Sequence, residues 1–169
     1  MSSWYQTKIK FQQVVEDDKV KNITEAYLFD AMSYTEAEAH SYDYLSSLRP
    51  NFEMQSITKM KLAEVFMQEN GAETWFKCRV QYIIFDEKTN SEKKTAVNML
   101  INADNVKHAY ESLAERLGTV EDYIISDINA TKILDVVPYE EVQKSGLTPM
   151  SELETRLSEN VETTSEEQN

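Results

Sequence analysis

The sequence predicts an α+β fold made from a tandem, pseudo-symmetric repeat of strand–strand–helix–strand units, forming antiparallel sheet with the helices packed on one face. Three observations predict it. Trp4-Tyr5-Gln6-Thr7-Lys8-Ile9-Lys10-Phe11 matches Trp75-Phe76-Lys77-Cys78-Arg79-Val80-Gln81-Tyr82 at an offset of 71, and self-similarity at a fixed offset marks a repeated structural unit. Within both stretches apolar and polar residues alternate, the period of a half-buried strand. The chain of 169 residues is 41% hydrophobic and 10% aromatic with only three Gly and three Pro, a composition that builds a core and regular elements with tight connections.

The elements follow in order. After the opening strand each copy has a polar turn, Glu16-Asp17-Asp18 in the first and Asp86-Glu87-Lys88-Thr89-Asn90 in the second. The second strand is Tyr27-Leu28-Phe29-Asp30-Ala31, aligned with Met99-Leu100-Ile101-Asn102-Ala103 at an offset of 72. A helix comes next in both copies. Thr35 to Leu48 places Ala37, Tyr44, Leu45 and Leu48 at helical spacing, and Val106 to Leu117 does the same with Val106, Ala109, Tyr110, Leu113 and Leu117. Pro50 and Gly118 lie just beyond as stop signals. The unit closes with an extended segment in which Phe52, Met54, Ile57, Leu62, Glu64 and Val65 align with Tyr123, Ile125, Ile128, Ile133, Asp135 and Val136. That segment is long enough for one bent strand or two short ones.

These alignments divide the chain into a first copy at 1–70 and a second at 71–139, joined at Asn70-Gly71-Ala72 and together forming one compact domain. Residues 140–169 form an acidic tail. There Thr148 as cap and Pro149 as first helical residue predict a short helix over 149–157, with Met150, Leu153 and Leu157 on one face. From Ser158 onward the polar, acidic composition predicts disorder. The expected core is Ile9, Phe11, Leu28, Leu45, Ile57, Val80, Leu100, Leu113, Leu117, Ile128 and Val136.

The opening pattern W-[YF]-x-x-[KR]-[IV] of both copies, the T-E-A-E-A start of the first helix (Thr35 to Ala39) and the I-x-D-V-V-P-Y ending (Ile133 to Tyr139) resemble a family catalogued as a domain of unknown function. The resemblance runs from about Trp4 to Tyr139. It implies a setting in gut bacteria and their mobile elements, and it implies no activity.

Charge and cysteine content narrow the function. The net charge is -13, and the segment from Glu140 to Asn169 alone holds eight acids and two bases. An acidic body argues against broad, non-specific duplex binding, which needs a basic surface. The single cysteine, Cys78, rules out a disulfide framework within the chain and favours a reducing compartment. The N-terminus lacks the basic and apolar regions of a signal peptide, and no apolar run reaches the ~18–20 residues that span a bilayer. The expectation is a cytoplasmic protein without membrane contact.

No catalytic, metal or cofactor site is legible, so the expectation is a protein that is not an enzyme and carries no cofactor. His40 and His108 have no metal-ligand spacing and read as surface or boundary residues. Cys78 falls on the apolar side of its strand and reads as a small core residue. Gly71, Gly118 and Gly146 stand too far apart for a phosphate loop. Asp30 and Asp135, at strand ends, read as turn and capping residues.

One constellation points to a ligand. Strand alternation puts Tyr5, Thr7, Ile9 and Phe11 on one face of the first strand and Trp4, Lys8 and Lys10 on the other. In the second copy, Phe76, Cys78, Val80 and Tyr82 oppose Trp75, Lys77 and Arg79. With the apolar faces under the helices, the opposite faces each show a tryptophan beside two cations, and the closing segments add Lys59, Lys61 and Lys132. A flat surface of aromatics and cations suits single-stranded nucleic acid, where bases stack at ~1–3 kcal/mol each and cations track the backbone. The acidic tail would compete for this face or recruit a partner. The alternative is a protein-interaction adaptor or inhibitor that acts through the acidic surface, a sheet edge or the tail helix. The oligomeric state stays open.

Overall fold

The computed structural model describes residues 1–139; the tail helix expected at 149–157 and the rest of the tail lie outside the described residues. The elements run β1 (Ser3–Val14), β2 (Val20–Ala31), α1 (Tyr34–Leu48), β3 (Glu53–Met60), β4 (Glu64–Phe66), then β5 (Thr74–Asp86), β6 (Ser91–Ala103), α2 (Val106–Leu117), β7 (Tyr123–Ala130) and β8 (Ile133–Val137). The fold is therefore a mixed α+β one, with eight strands in two sheets and two helices among the described residues. The segment closing each half is two strands.

The long hairpins come from the alternating stretches. β1 pairs antiparallel with β2 from Ser3↔Ala31 to Val14↔Val20, and β5 with β6 from Thr74↔Ala103 to Asp86↔Ser91. Their turns use residues that tolerate left-handed backbone, Asp17 (φ 64), Asp18 (φ 54) and Asn90 (φ 48). Both helices begin with a side-chain cap. Ser33 Oγ accepts from Glu36 N at 3.2 Å while Glu36 reaches back to Met32 N at 2.5 Å, and Asn105 Oδ1 accepts from His108 N at 2.9 Å. α2 stops at Gly118, whose φ of 69 suits a residue without Cβ.

The sheets depart from the all-antiparallel expectation. Their orders are β3-β1-β2-β8 and β4-β6-β5-β7. In each, three strands are antiparallel and the fourth is parallel: β8 lies along β2, with Leu28 opposite Val136, and β4 along β6, with Val65 opposite Leu100. Each half thus sends its last strand into the other half's sheet. Asn102 fixes the segment after β4: its Oδ1 accepts from Gln68 N at 2.7 Å, and its Nδ2 donates to Gln68 O at 2.9 Å and Ala72 O at 3.1 Å.

Helices and sheets share separate apolar clusters. Ala109 and Leu113 of α2 pack with Phe76, Cys78, Val80, Met99 and Ile101. Ala37 of α1 packs with Tyr5 and Ala31, while Ser41 Oγ bonds Thr7 Oγ1 at 2.8 Å. A third cluster joins the sheets to each other: Leu28, Ile133 and Val136 from the first meet Trp75 and Leu100 from the second. Of the expected core, Ile9, Leu28, Leu45, Val80, Leu100, Leu113 and Val136 are buried, and Phe11, Ile57, Leu117 and Ile128 half-buried. Leu48, Val106 and Tyr110, which helical spacing placed inward, are exposed, because α1 rests on Ala37, His40, Ser41 and Leu45 and α2 on Ala109 and Leu113. His40 is buried beside Glu36 rather than at the surface, with Nε2–Oε1 at 3.7 Å. His108 is half-exposed against Asp104 at 3.4 Å.

Candidate nucleic-acid interface

The expected interface rests on nine residues, and the structure separates the tryptophans from the cations. Trp75 is 5% exposed, packed in the cluster that joins the two sheets. Its backbone carbonyl accepts from both the N–H and the Oγ1 of Thr131 at 2.8 Å. Trp4 is half-buried against the same cluster. Trp75 is therefore not the stacking surface read from the sequence. Its ring is a core residue, because the sheet face that carries it is covered by the other sheet at that end.

The cations lie further along the strands. Lys8, Lys77 and Arg79 are exposed and Lys10 is half-exposed. In register, Lys8 stands between Ala26 and Ser56, Lys10 between Thr24 and Glu53, Lys77 between Leu100 and Asn129, and Arg79 between Asn98 and Asp127. None of the four is in a salt bridge among the described residues. Lys59, Lys61 and Lys132 are exposed but stand apart from this face. Lys59 is opposite Tyr5 and so lies on the helix side of the sheet, while Lys61 and Lys132 sit in the short links β3–β4 and β7–β8. A cation missed in the sequence is Lys94, opposite Ile83 and exposed on the face of Arg79. Counting back in twos from Leu100 finds it.

The buried polar and titratable groups sit elsewhere. Cys78 is fully buried, and burial pushes its thiol up from 9.0 to about 11. Tyr27 is raised by burial and then by its hydroxyl's 2.7 Å bond to Glu25. Glu25 also holds Arg49 at 2.9 and 3.0 Å, with the guanidinium 5.1 Å above Phe11. Asp135 accepts from Tyr44 Oη at 2.5 Å. Asp30 lies within β2, not at a turn, and its Oδ1 is buried without a partner. Among the described residues no group of three or more His, Cys, Asp or Glu is placed to hold a metal ion, and no helix is long and apolar enough to cross a membrane.

Two clefts open at the hairpin tips. The one on the β1–β2 arm, about 520 Å³, is lined by Lys10, Gln12, Asn22, Asn51 and Glu53 among others. That on the β5–β6 arm, about 610 Å³, is lined by Ile83, Ile84, Phe85, Val120, Glu121 and Asp122 among others. Both carry exposed apolar side chains, Val14 and Val20 at the first and Ile84, Phe85 and Val120 at the second; strand and helix periodicity does not reveal the second group, which gathers from a strand end and a loop.

The described residues form a mixed α+β protein with two four-stranded sheets and two helices. The chain belongs to the family described as domain of unknown function (DUF4494), which matches residues 3–139. No curated protein and no solved structure matches it.

Proposed function

We propose that the protein is a non-enzymatic binding protein, acting in the cytoplasm, whose ligand is single-stranded nucleic acid held through its phosphate backbone. The observation that supports this best is the pair of strand faces bearing Lys8 and Lys10 on β1 and Lys77 and Arg79 on β5, unpaired with carboxylates among the described residues. Alternate residues of a strand stand ~6.7 Å apart on one face, a spacing on the order of the step between phosphates of an extended strand. The reading also takes the two halves as a tandem repeat about a pseudo-twofold axis, each with its helix on the face opposite the cations, so that one cation pair is presented twice. The recurring order of elements and the reciprocal exchange of β4 and β8 support it.

With Trp75 buried, stacking contributes little, and the binding is electrostatic, weak and indifferent to sequence. The net charge of -13 opposes it at long range and disfavours duplexes more than single strands. The setting implied by the sequence resemblance, gut bacteria and their mobile elements, is one in which nucleic acid is handled.

The test is fluorescence anisotropy of a labelled oligonucleotide at low and moderate salt. The full chain binds with micromolar or weaker affinity, and each of Lys8→Ala, Lys77→Ala and Arg79→Ala lowers the salt slope by ~0.7, the contribution of one single-strand phosphate contact. Absence of binding at low salt, or slopes unchanged in all three variants, ends this reading.

A further inference from the structure

The cleft at the tip of the β5–β6 arm has a different chemistry from the cation faces. Val120 is 96% exposed, Ile84 59% and Phe85 58%. They come from the end of β5 and the α2–β7 loop, and the fold brings them to one cleft. The loop is held there by the strand, since Ile83 N donates to Asp122 O at 2.9 Å. Scattered single apolar residues on a surface are ordinary, whereas a contiguous group beside a formed cleft marks a contact site.

The cleft is also negative. Its charged lining residues are Glu121 and Asp122, while the nearby cation Lys93, opposite Ile84 in register, is paired with Asp86 at 3.8 Å. Glu121 and Glu64 help raise the Tyr82 hydroxyl above its ordinary value, after burial. The corresponding cleft of the β1–β2 arm contains both Lys10 and Glu53, and Arg49 stacks over its Phe11. Val14 and Val20 are exposed at that cleft as well, so the two clefts differ in charge rather than in apolar character.

We infer that this cleft docks a segment of a partner protein in which apolar side chains are flanked by Lys or Arg. Charge complementarity selects that occupant. The two carboxylates repel a phosphate backbone, so nucleic acid does not enter here. A second copy carries the same charge of -13 and meets the cleft with repulsion. A basic flank pairs with Glu121 and Asp122 at the rim while apolar side chains cover Ile84 and Val120, the division between buried anchors and charged rim that protein interfaces use.

The probe is a fluorescein-labelled synthetic peptide with a short Leu-rich centre and two Lys at each end, compared with the same peptide carrying Glu in place of Lys. Anisotropy at moderate salt gives the readout. The Lys peptide binds the full chain and the Glu peptide does not. Val120→Ser and Ile84→Ser each weaken the Lys peptide about tenfold, as expected for an anchor contact, and Glu121→Gln weakens it less. Val14→Ser, at the other tip, leaves it unchanged. Val120 is almost fully exposed, so its variant keeps the wild-type melting temperature. Equal loss in Val14→Ser, or no loss in Val120→Ser, overturns the assignment. So does self-association in sedimentation that Val120→Ser abolishes, which would make a second copy the occupant. Oligonucleotide binding in Val120→Ser stays at the wild-type level, so failure of the peptide site and failure of the nucleic-acid reading are distinguishable.

Discussion

The β1–β2 arm and the β5–β6 arm have the same order of elements and differ in the residues placed on them. Each is a long antiparallel hairpin with a helix after it, an edge strand beside it and a parallel strand from the other half. At positions 71 apart in the sequence, the first arm has Thr7 bonded to Ser41 and the second has the buried thiol of Cys78. The first has Asp30 with an unpartnered oxygen where the second has Asn102 making bonds to Gln68 and Ala72. Both tips expose apolar side chains, Val14 and Val20 at the first and Ile84, Phe85 and Val120 at the second, but the charged lining is Lys10 and Glu53 at the first and Glu121 and Asp122 at the second. Apolar alternation and capping set the backbone, and they leave individual polar positions and tips free to diverge.

Three measurements can break or sharpen this comparison. The largest effect is expected at Asn102. Replacing it by Ala removes the amide that satisfies Gln68 and Ala72 and leaves their backbone groups partly unpaired, at a cost of about 2–4 kcal/mol in a denaturant melt. A loss near zero would show that the segment after β4 is held by something else.

The next effect distinguishes Cys78 from Thr7. The folded-state thiol is raised from 9.0 to about 11, so its contribution to stability is complete below about pH 9. It is lost as pH rises through about 11. Two pH units of this kind amount to about 2–3 kcal/mol. Melts between pH 8 and pH 11 check it: Cys78→Ala flattens the alkaline decline, while Thr7→Ala leaves its shape intact. An identical decline in Cys78→Ala would locate the alkaline sensitivity elsewhere.

The smallest effect is at Asp30. Changing it to Asn removes a charge from a position where one oxygen is buried without a donor, and it supplies an N–H₂ instead. The expected gain is about 1 kcal/mol. A clear loss on Asp30→Asn would mean that the carboxylate has a role the described contacts do not explain.

Much of the backbone was legible in the sequence. Alternation locates β1 and β5, whose Tyr5, Thr7 and Ile9 and whose Phe76, Cys78 and Val80 are buried, and α2 ends before Gly118 as its chemistry predicts. The destination of β4 and β8 was not legible, because segments of three and five residues carry no information about which strand they will lie beside. Trp75 shows the same limit. Its face followed from the period of two, but period says which way a side chain points and not what covers it. The apolar tip is not legible in the sequence because Ile84 and Val120 come from a strand end and a loop and belong to no single periodic stretch. Lys59 was misplaced because it was assigned to a face without the register of β3, which puts it opposite Tyr5.

The most direct test of the account is heteronuclear NMR of the full chain titrated with a short single-stranded oligonucleotide at low salt. The account predicts amide shifts along β1 around Lys8 and Lys10 and along β5 around Lys77 and Arg79, with Ile84 and Val120 unmoved. Shifts confined to the β5–β6 tip, or none on either cation face, would contradict it.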